Sequence, residues 1–168
     1  EARKTSESYR NPRLVYRNLG NGRFEDVSSL AGPGVAQLKS SRGAAFGDFD
    51  NDGDIDVLVM NMGEPPSLLR NDLTTDAHWI KVRLQGTKSN RSAIGAVVTV
   101  EYSGQRESQP VLSQSSFISR NDPRLHFGLG ASERADRIVI RWPSGESEVF
   151  PAAEAGKPVT LVEGKGAK

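Results

Sequence analysis

The sequence contains no cysteine. That excludes a disulfide-stapled scaffold and a thiolate metal site, but it leaves the compartment open, because a large enough core needs no covalent staple. Net charge is nearly absent as well: 22 Lys and Arg stand against 21 Asp and Glu, a formal +1. Proteins that grip phosphate backbones draw their affinity from a net or clustered excess of basic side chains. No nucleic-acid partner is therefore expected. No apolar run approaches the roughly 18 residues of a membrane span, and Glu1 opens no charged-then-apolar leader. What is plentiful is glycine and proline, 17 and 9 of 168 residues. Such a share predicts many turns and short elements, not a helical bundle.

Period-two patterning runs through most of the chain. Leu14, Val15 and Tyr16 suggest a short strand, and Asn21-Gly22 predicts a type I′ hairpin turn, which needs positive φ at both central residues. Phe24 and Val27 carry the return strand. Residues 28–43 are small, polar and glycine-rich and read as a connecting loop. The run Val57-Leu58-Val59-Met60 is apolar on both faces and predicts a strand buried on both sides, followed after Pro65-Pro66 by a brief strand over 67–70. Composition changes at residues 72–77. Beyond them Ile80, Val82 and Leu84 alternate with Lys81 and Arg83, a one-sided strand. Ala96 to Tyr102 and Ile138 to Trp142 repeat the pattern, Pro143-Ser144-Gly145 turns into 148–150, and 159–162 forms a final strand. Gly128-Leu129-Gly130 reads as a turn, and only residues 28–40 and 151–156 have room for a helical turn. The fold class is all-β: strands around an aspartate loop, then an antiparallel sandwich or barrel-like domain.

The aspartate loop carries the specific chemistry. Asp48, Asp50, Asp52, Asp54 and Asp56 place five carboxylates within nine residues, and their repulsion would destabilise a compact turn unless a cation sits among them. Ca²⁺ suits this set, because it takes six to eight oxygen ligands from a tightly wound loop. With Asp48 as position 1, Asp50 and Asp52 fall at 3 and 5, Gly53 makes the sharp turn at 6, the carbonyl of Asp54 falls at 7 and Asp56 at 9. The EF-hand pattern ends there: Val59 stands where a bidentate Glu belongs, and the flanks are strand-like. Mg²⁺, which demands near-ideal octahedral geometry and keeps its waters, fits less well.

Phe46-Gly47-Asp48 through Val59 resembles the FG-GAP, or VCBS, repeat of β-propeller blades, and residues 14–27 resemble the later strands of a preceding blade. Residues 78–150 resemble the ASPIC/UnbV domain, carried by His78-Trp79-Ile80-Lys81-Val82-Arg83-Leu84, Gly86 to Arg91, Ser119 to Gly130 and Arg141-Trp142-Pro143-Ser144-Gly145. The resemblance implies a polar tail over 1–12, an incomplete propeller over 13–75 and an ASPIC/UnbV β-domain over 76–168. It further implies a secreted, periplasmic or cell-surface protein whose signal peptide lies upstream. A lone blade cannot bury both of its faces, so the chain reads as a piece of a larger protein, its strand edges open to association.

The functional expectation is a non-enzymatic, calcium-binding adhesion or binding module for a protein or glycan ligand. One alternative is a carbohydrate-binding module using Trp79, Trp142 or Tyr102 as stacking platforms. Another is an accessory domain of a secreted enzyme. Ser144 lies outside any G-x-S-x-G elbow, and His126 should project opposite to Leu125 and Phe127. Lys81, Arg83, Lys88, Arg91, Arg120 and Arg124 could gather into a basic face, against the simpler expectation of a scattered solvated surface.

Overall fold

The computed structural model describes residues 9–168, so the part of the expected tail over 1–8 lies outside the described residues. The chain begins with a hairpin of β1 (Tyr16–Gly20) and β2 (Arg23–Asp26). Asn21 and Gly22 have φ of 52° and 71°, the pair of positive values that the type I′ turn requires. A four-residue helix, α1 (Pro33–Ala36), follows. Strands β3 (Ser41–Gly47), β4 (Asp56–Asn61) and β5 (Ser67–Leu69) form an antiparallel meander in which β3 and β4 flank the aspartate loop. The guanidinium of Arg13 ties the stretch before the hairpin to this meander, donating to Gly34 O, Asn61 Oδ1 and Ser67 Oγ.

After the exposed residues 72–77, the chain builds two larger sheets. Strand β6 (His78–Gln85) is followed by β7 (Val97–Tyr102), β8 (Gln105–Pro110), β9 (Leu125–Gly130), the two-residue β10 (Arg134–Ala135), β11 (Arg137–Arg141), β12 (Ser147–Phe150), β13 (Ala153–Glu154) and β14 (Pro158–Val162). One sheet has the order β12-β11-β7-β8, the other β14-β6-β9. Both contribute to a single apolar cluster that includes Ile80, Val82, Val98, Phe127, Ile140 and Trp142. Alternation explains it: every second residue of β6, β7, β9 and β11 faces inward.

The core is unevenly distributed. Among the described residues only Val35 and Val59 are buried apolar side chains before residue 78, whereas all but three of the large exposed hydrophobics lie there. The Val57–Met60 strand is accordingly not buried on both sides, since Leu58 is 42% and Met60 48% exposed. No described element covers that face of the meander.

Other expectations also change. Residues 125–130 form β9, not a turn: Phe127 and Leu129 point into the core while Gly128 occupies the outer face. Strand β8 went unread because its sequence, QRESQP, is polar on both faces, as an edge strand paired only with β7 can be. Strand β14 runs parallel to β6, the one parallel pairing among the described residues. Residues 151–156 hold the short β13 in place of a helical turn. No helix among the described residues is long and apolar enough to cross a membrane.

Candidate metal centre

The loop between β3 and β4 turns at Gly53, whose φ of 107° is open to glycine and costly for any residue with a Cβ. The turn folds the loop back so that Asp48, Asp50 and Asp56 present carboxylate oxygens within 4.8 Å of one another. Asp48 and Asp56 are buried, 3% and 2% exposed. Asp56 accepts the backbone N–H groups of Phe49 at 2.7 Å and Asn71 at 2.8 Å, which fixes its orientation and leaves lone pairs free. Oδ2 of Asp48 accepts the Gly53 N–H at 2.8 Å and the Lys81 ammonium. Its Oδ1 is buried and has no hydrogen-bond partner among the described residues.

Two of the five predicted ligands lie outside this group. Asp52 is exposed, and its Oδ1 accepts the Asp54 N–H at 2.9 Å, a local turn bond. Asp54 is half-buried; burial and then the neighbouring charges of Asp52, Asp48 and Asp56 raise its carboxyl above the ordinary aspartate range. For Asp48 burial pushes upward too, but the hydrogen bonds from Lys81 and Gly53 outweigh it and hold the carboxyl below its usual range.

The outer face of the β6–β9 pair grips the loop, a feature the alternation pattern does not reveal. Lys81, expected on a solvated face, is only 3% exposed because Asp48 and the loop lie over it. Its ammonium also sits 4.7 Å from the Trp79 ring centroid. Trp79 stacks on His126 with ring centroids 5.8 Å apart, and the His126 Nε2 meets the Gly53 carbonyl at 2.8 Å. Arg124, held by Asp122, donates to Asn51 Oδ1 at 2.9 Å. The free edge of β3 is covered as well: Ala44 N–H donates to Ser116 Oγ, Phe46 N–H to Asn121 Oδ1, and Asp122 N–H to Phe46 O. The sequence signal for this clamp is the set of Trp79 and Lys81 on β6 and His126 on β9, at outward positions of two paired strands, with Arg124 directly before β9.

Gly53 tests the junction directly. A Cβ there would lie 1.9 Å from Trp79 Nε1. Gly53→Ala should therefore destabilise the chain by about 2–3 kcal/mol, combining an unfavourable φ with a clash that displaces the indole. Urea unfolding measures it. A change within error would mean that the indole does not rest on the loop.

Comparison with known families agrees with this architecture. Residues 7–59 match the FG-GAP-like repeat, and residues 86–168 match the family described as ASPIC and UnbV. The chain is thus similar to an FG-GAP-like repeat over its first part and to the ASPIC and UnbV family over its second. The aspartate loop falls inside the stretch that matches the repeat, Arg124 and His126 fall inside the stretch that matches the ASPIC and UnbV family, and Trp79 and Lys81 stand on β6 between the two. Among curated proteins, human cartilage acidic protein 1 is 28% identical over 151 residues, covering 86% of this chain and 22% of its own length. The Xenopus tropicalis protein of the same name is 24% identical over 159 residues, covering 92% of this chain and 24% of its own length. The chain thus spans less than a quarter of the relatives it matches.

Proposed function

We propose that this FG-GAP and ASPIC/UnbV chain is a calcium-binding, non-enzymatic binding or adhesion module, part of a larger repeat protein that works outside the cell or in the periplasm. One observation carries the calcium reading. The Oδ1 of Asp48 is buried without a hydrogen bond, on a carboxylate that lies with those of Asp50 and Asp56 in one cluster. An ionised oxygen in that position is costly unless a cation meets it, and an all-oxygen set suits a hard divalent ion. Asp48, Asp50 and Asp56 would hold the ion, and its contribution would be structural, setting the angle between β3 and β4.

Two observations favour binding over catalysis. The three carboxylates crowd within 4.8 Å, whereas acid–base pairs of glycoside hydrolases stand about 5–9.5 Å apart across a cleft. The apolar side chains left exposed before residue 78 fit a blade whose neighbours lie elsewhere in a larger propeller. The stacking-platform alternative loses support, since Trp142 is fully buried, Trp79 is stacked on His126 and Tyr102 packs against the core.

Calcium at 10 mM should stabilise the chain by about 1.4–2.7 kcal/mol, given a dissociation constant on the order of 10⁻⁴–10⁻³ M as in extracellular modules. The melting temperature should rise by roughly 3–10 °C for a chain of this size. Magnesium should shift it far less, and Asp50→Ala should abolish the shift. A melting curve unmoved from micromolar to 10 mM calcium would refute the assignment.

A further inference from the structure

Arg83 on β6, Arg91 in the loop after β6 and Arg120 in the loop before β9 come from three separate segments yet line one cleft of about 470 Å³. The rest of its lining is Leu84, Gln85, Ser92, Pro123 and Thr160, with no carboxylate. Most other arginines on this part of the chain have acidic partners: Arg124 is held by Asp122, Arg134 by Asp136 and Arg137 by Glu101. The guanidiniums of the three around the cleft have no ion pair or hydrogen bond among the described residues. Two acidic groups close in sequence to lining residues are committed elsewhere, Asp122, beside Pro123, to Arg124 and Glu163, after Thr160, to the backbone N–H groups of residues 87–89.

Three guanidiniums brought together without counter-charge repel one another. Each presents a planar fork of N–H donors suited to bidentate capture of an oxyanion. The cleft's size lies within the range of small-molecule sites, about 300–1,000 Å³, and exceeds what a single inorganic anion fills. Neutral hydrogen-bonding side chains at Gln85, Ser92 and Thr160 flank the arginines, and no aromatic side chain lines the cleft. We propose that Arg83, Arg91 and Arg120 form a binding site for the oxyanion of a small acidic ligand, a sulfate, phosphate or carboxylate group. The site is separate from the aspartate loop and does not depend on the calcium reading.

Titration of the isotopically labelled full chain by NMR at low salt tests it, with inorganic sulfate, inorganic phosphate, and a sulfated disaccharide beside its unsulfated parent. Saturable shifts should appear at the side-chain Nε–Hε of Arg83, Arg91 and Arg120. Each of Arg83→Gln, Arg91→Gln and Arg120→Gln should weaken binding at least about fivefold. Arg141→Gln, an exposed arginine on β11, should stay within about twofold, as a purely screened surface charge does. Melting temperatures within about 2 °C of the parent confirm that the exposed substitutions leave the fold intact. A sulfated disaccharide binding roughly tenfold tighter than sulfate would assign the anion to a saccharide, and equal affinity would assign it to a free ion. Absence of saturable shifts, or a loss in Arg141→Gln equal to that in the cleft variants, overturns the proposal.

Discussion

Lys81→Met should destabilise the chain by about 3–5 kcal/mol in calcium-free buffer, because removing one member of a buried ion pair leaves the other charge uncompensated. Methionine keeps the apolar stem over Trp79 but removes the ammonium, so the buried Asp48 keeps backbone hydrogen bonding from the loop, such as the Gly53 N–H, but loses its counter-charge. If a cation also draws on Asp48, it replaces part of the missing charge, and the cost of Lys81→Met in 10 mM calcium should fall to less than half its calcium-free value. Urea unfolding of both proteins in chelator and in calcium gives the comparison. An identical cost under both conditions would show that the ammonium and the ion do not share this carboxylate. Asp48→Asn combined with Lys81→Met should cost less than the sum of the single changes, since the double variant buries no lone charge.

Glu163→Gln should cost about 3–5 kcal/mol at neutral pH, although Glu163 follows the last strand and lies outside the aspartate loop. Its buried carboxylate accepts the N–H groups of Thr87, Lys88 and Ser89 at 2.9, 2.8 and 2.7 Å and the hydroxyls of Ser89 and Ser144. A glutamine amide has one acceptor oxygen and sets its NH₂ against donors, leaving several N–H groups unmet. Burial pushes the Glu163 carboxyl up, but the bonds from Ser89, Thr87 and Ser144 outweigh it and bring it down to about 2 from the ordinary 4.5. With a folded value below the unfolded one, the unfolded chain takes up the proton first as pH falls. The stabilisation is therefore complete above 4.5 and lost progressively between 4.5 and about 2. The stability gap between parent and Glu163→Gln should narrow by roughly 2–3 kcal/mol across that window. A gap that stays constant down to pH 2 would sink the account. Glu154→Gln, on an exposed carboxylate paired with Lys157, is the control and should leave stability within the error of the unfolding measurement.

The strands that build the core were legible because their side chains alternate. Ile80, Val82 and Leu84, or Val98 and Val100, declare an inward face that needs no partner to be recognised. The Asn21-Gly22 turn was equally plain, since its backbone demand is local. Strand β8 was not, because an edge strand with little burial leaves no apolar period to read. The loop chemistry divides in the same way. Five aspartates in nine residues announce a candidate cation site, but which of them converge depends on the fold-back at Gly53, and this brings Asp48, Asp50 and Asp56 together. Lys81 shows the limit most clearly. By its own strand it belongs on a solvated face, and only the aspartate loop, placed there by tertiary contacts, buries it.

The parallel pairing of β14 with β6 bears on how the chain acquires its structure. The meander of β3 to β5 and the β7–β8 hairpin join near neighbours and can close within the microseconds typical of hairpins. Strand β6 instead waits for a partner more than seventy residues downstream, with Pro158 beside Lys81 and Val162 beside Gln85. The same downstream segment supplies Glu163 to residues 87–89, and Gly164 and Gly166 to the buried carboxylate of Glu148. Contacts of such high sequence separation slow folding, because loop entropy is lost before they form. During synthesis, β6 would emerge with its β14 edge unpaired and stay so until residues 158–166 clear the ribosome. The strand that seats Lys81 against the aspartate loop is thus among the last to be secured.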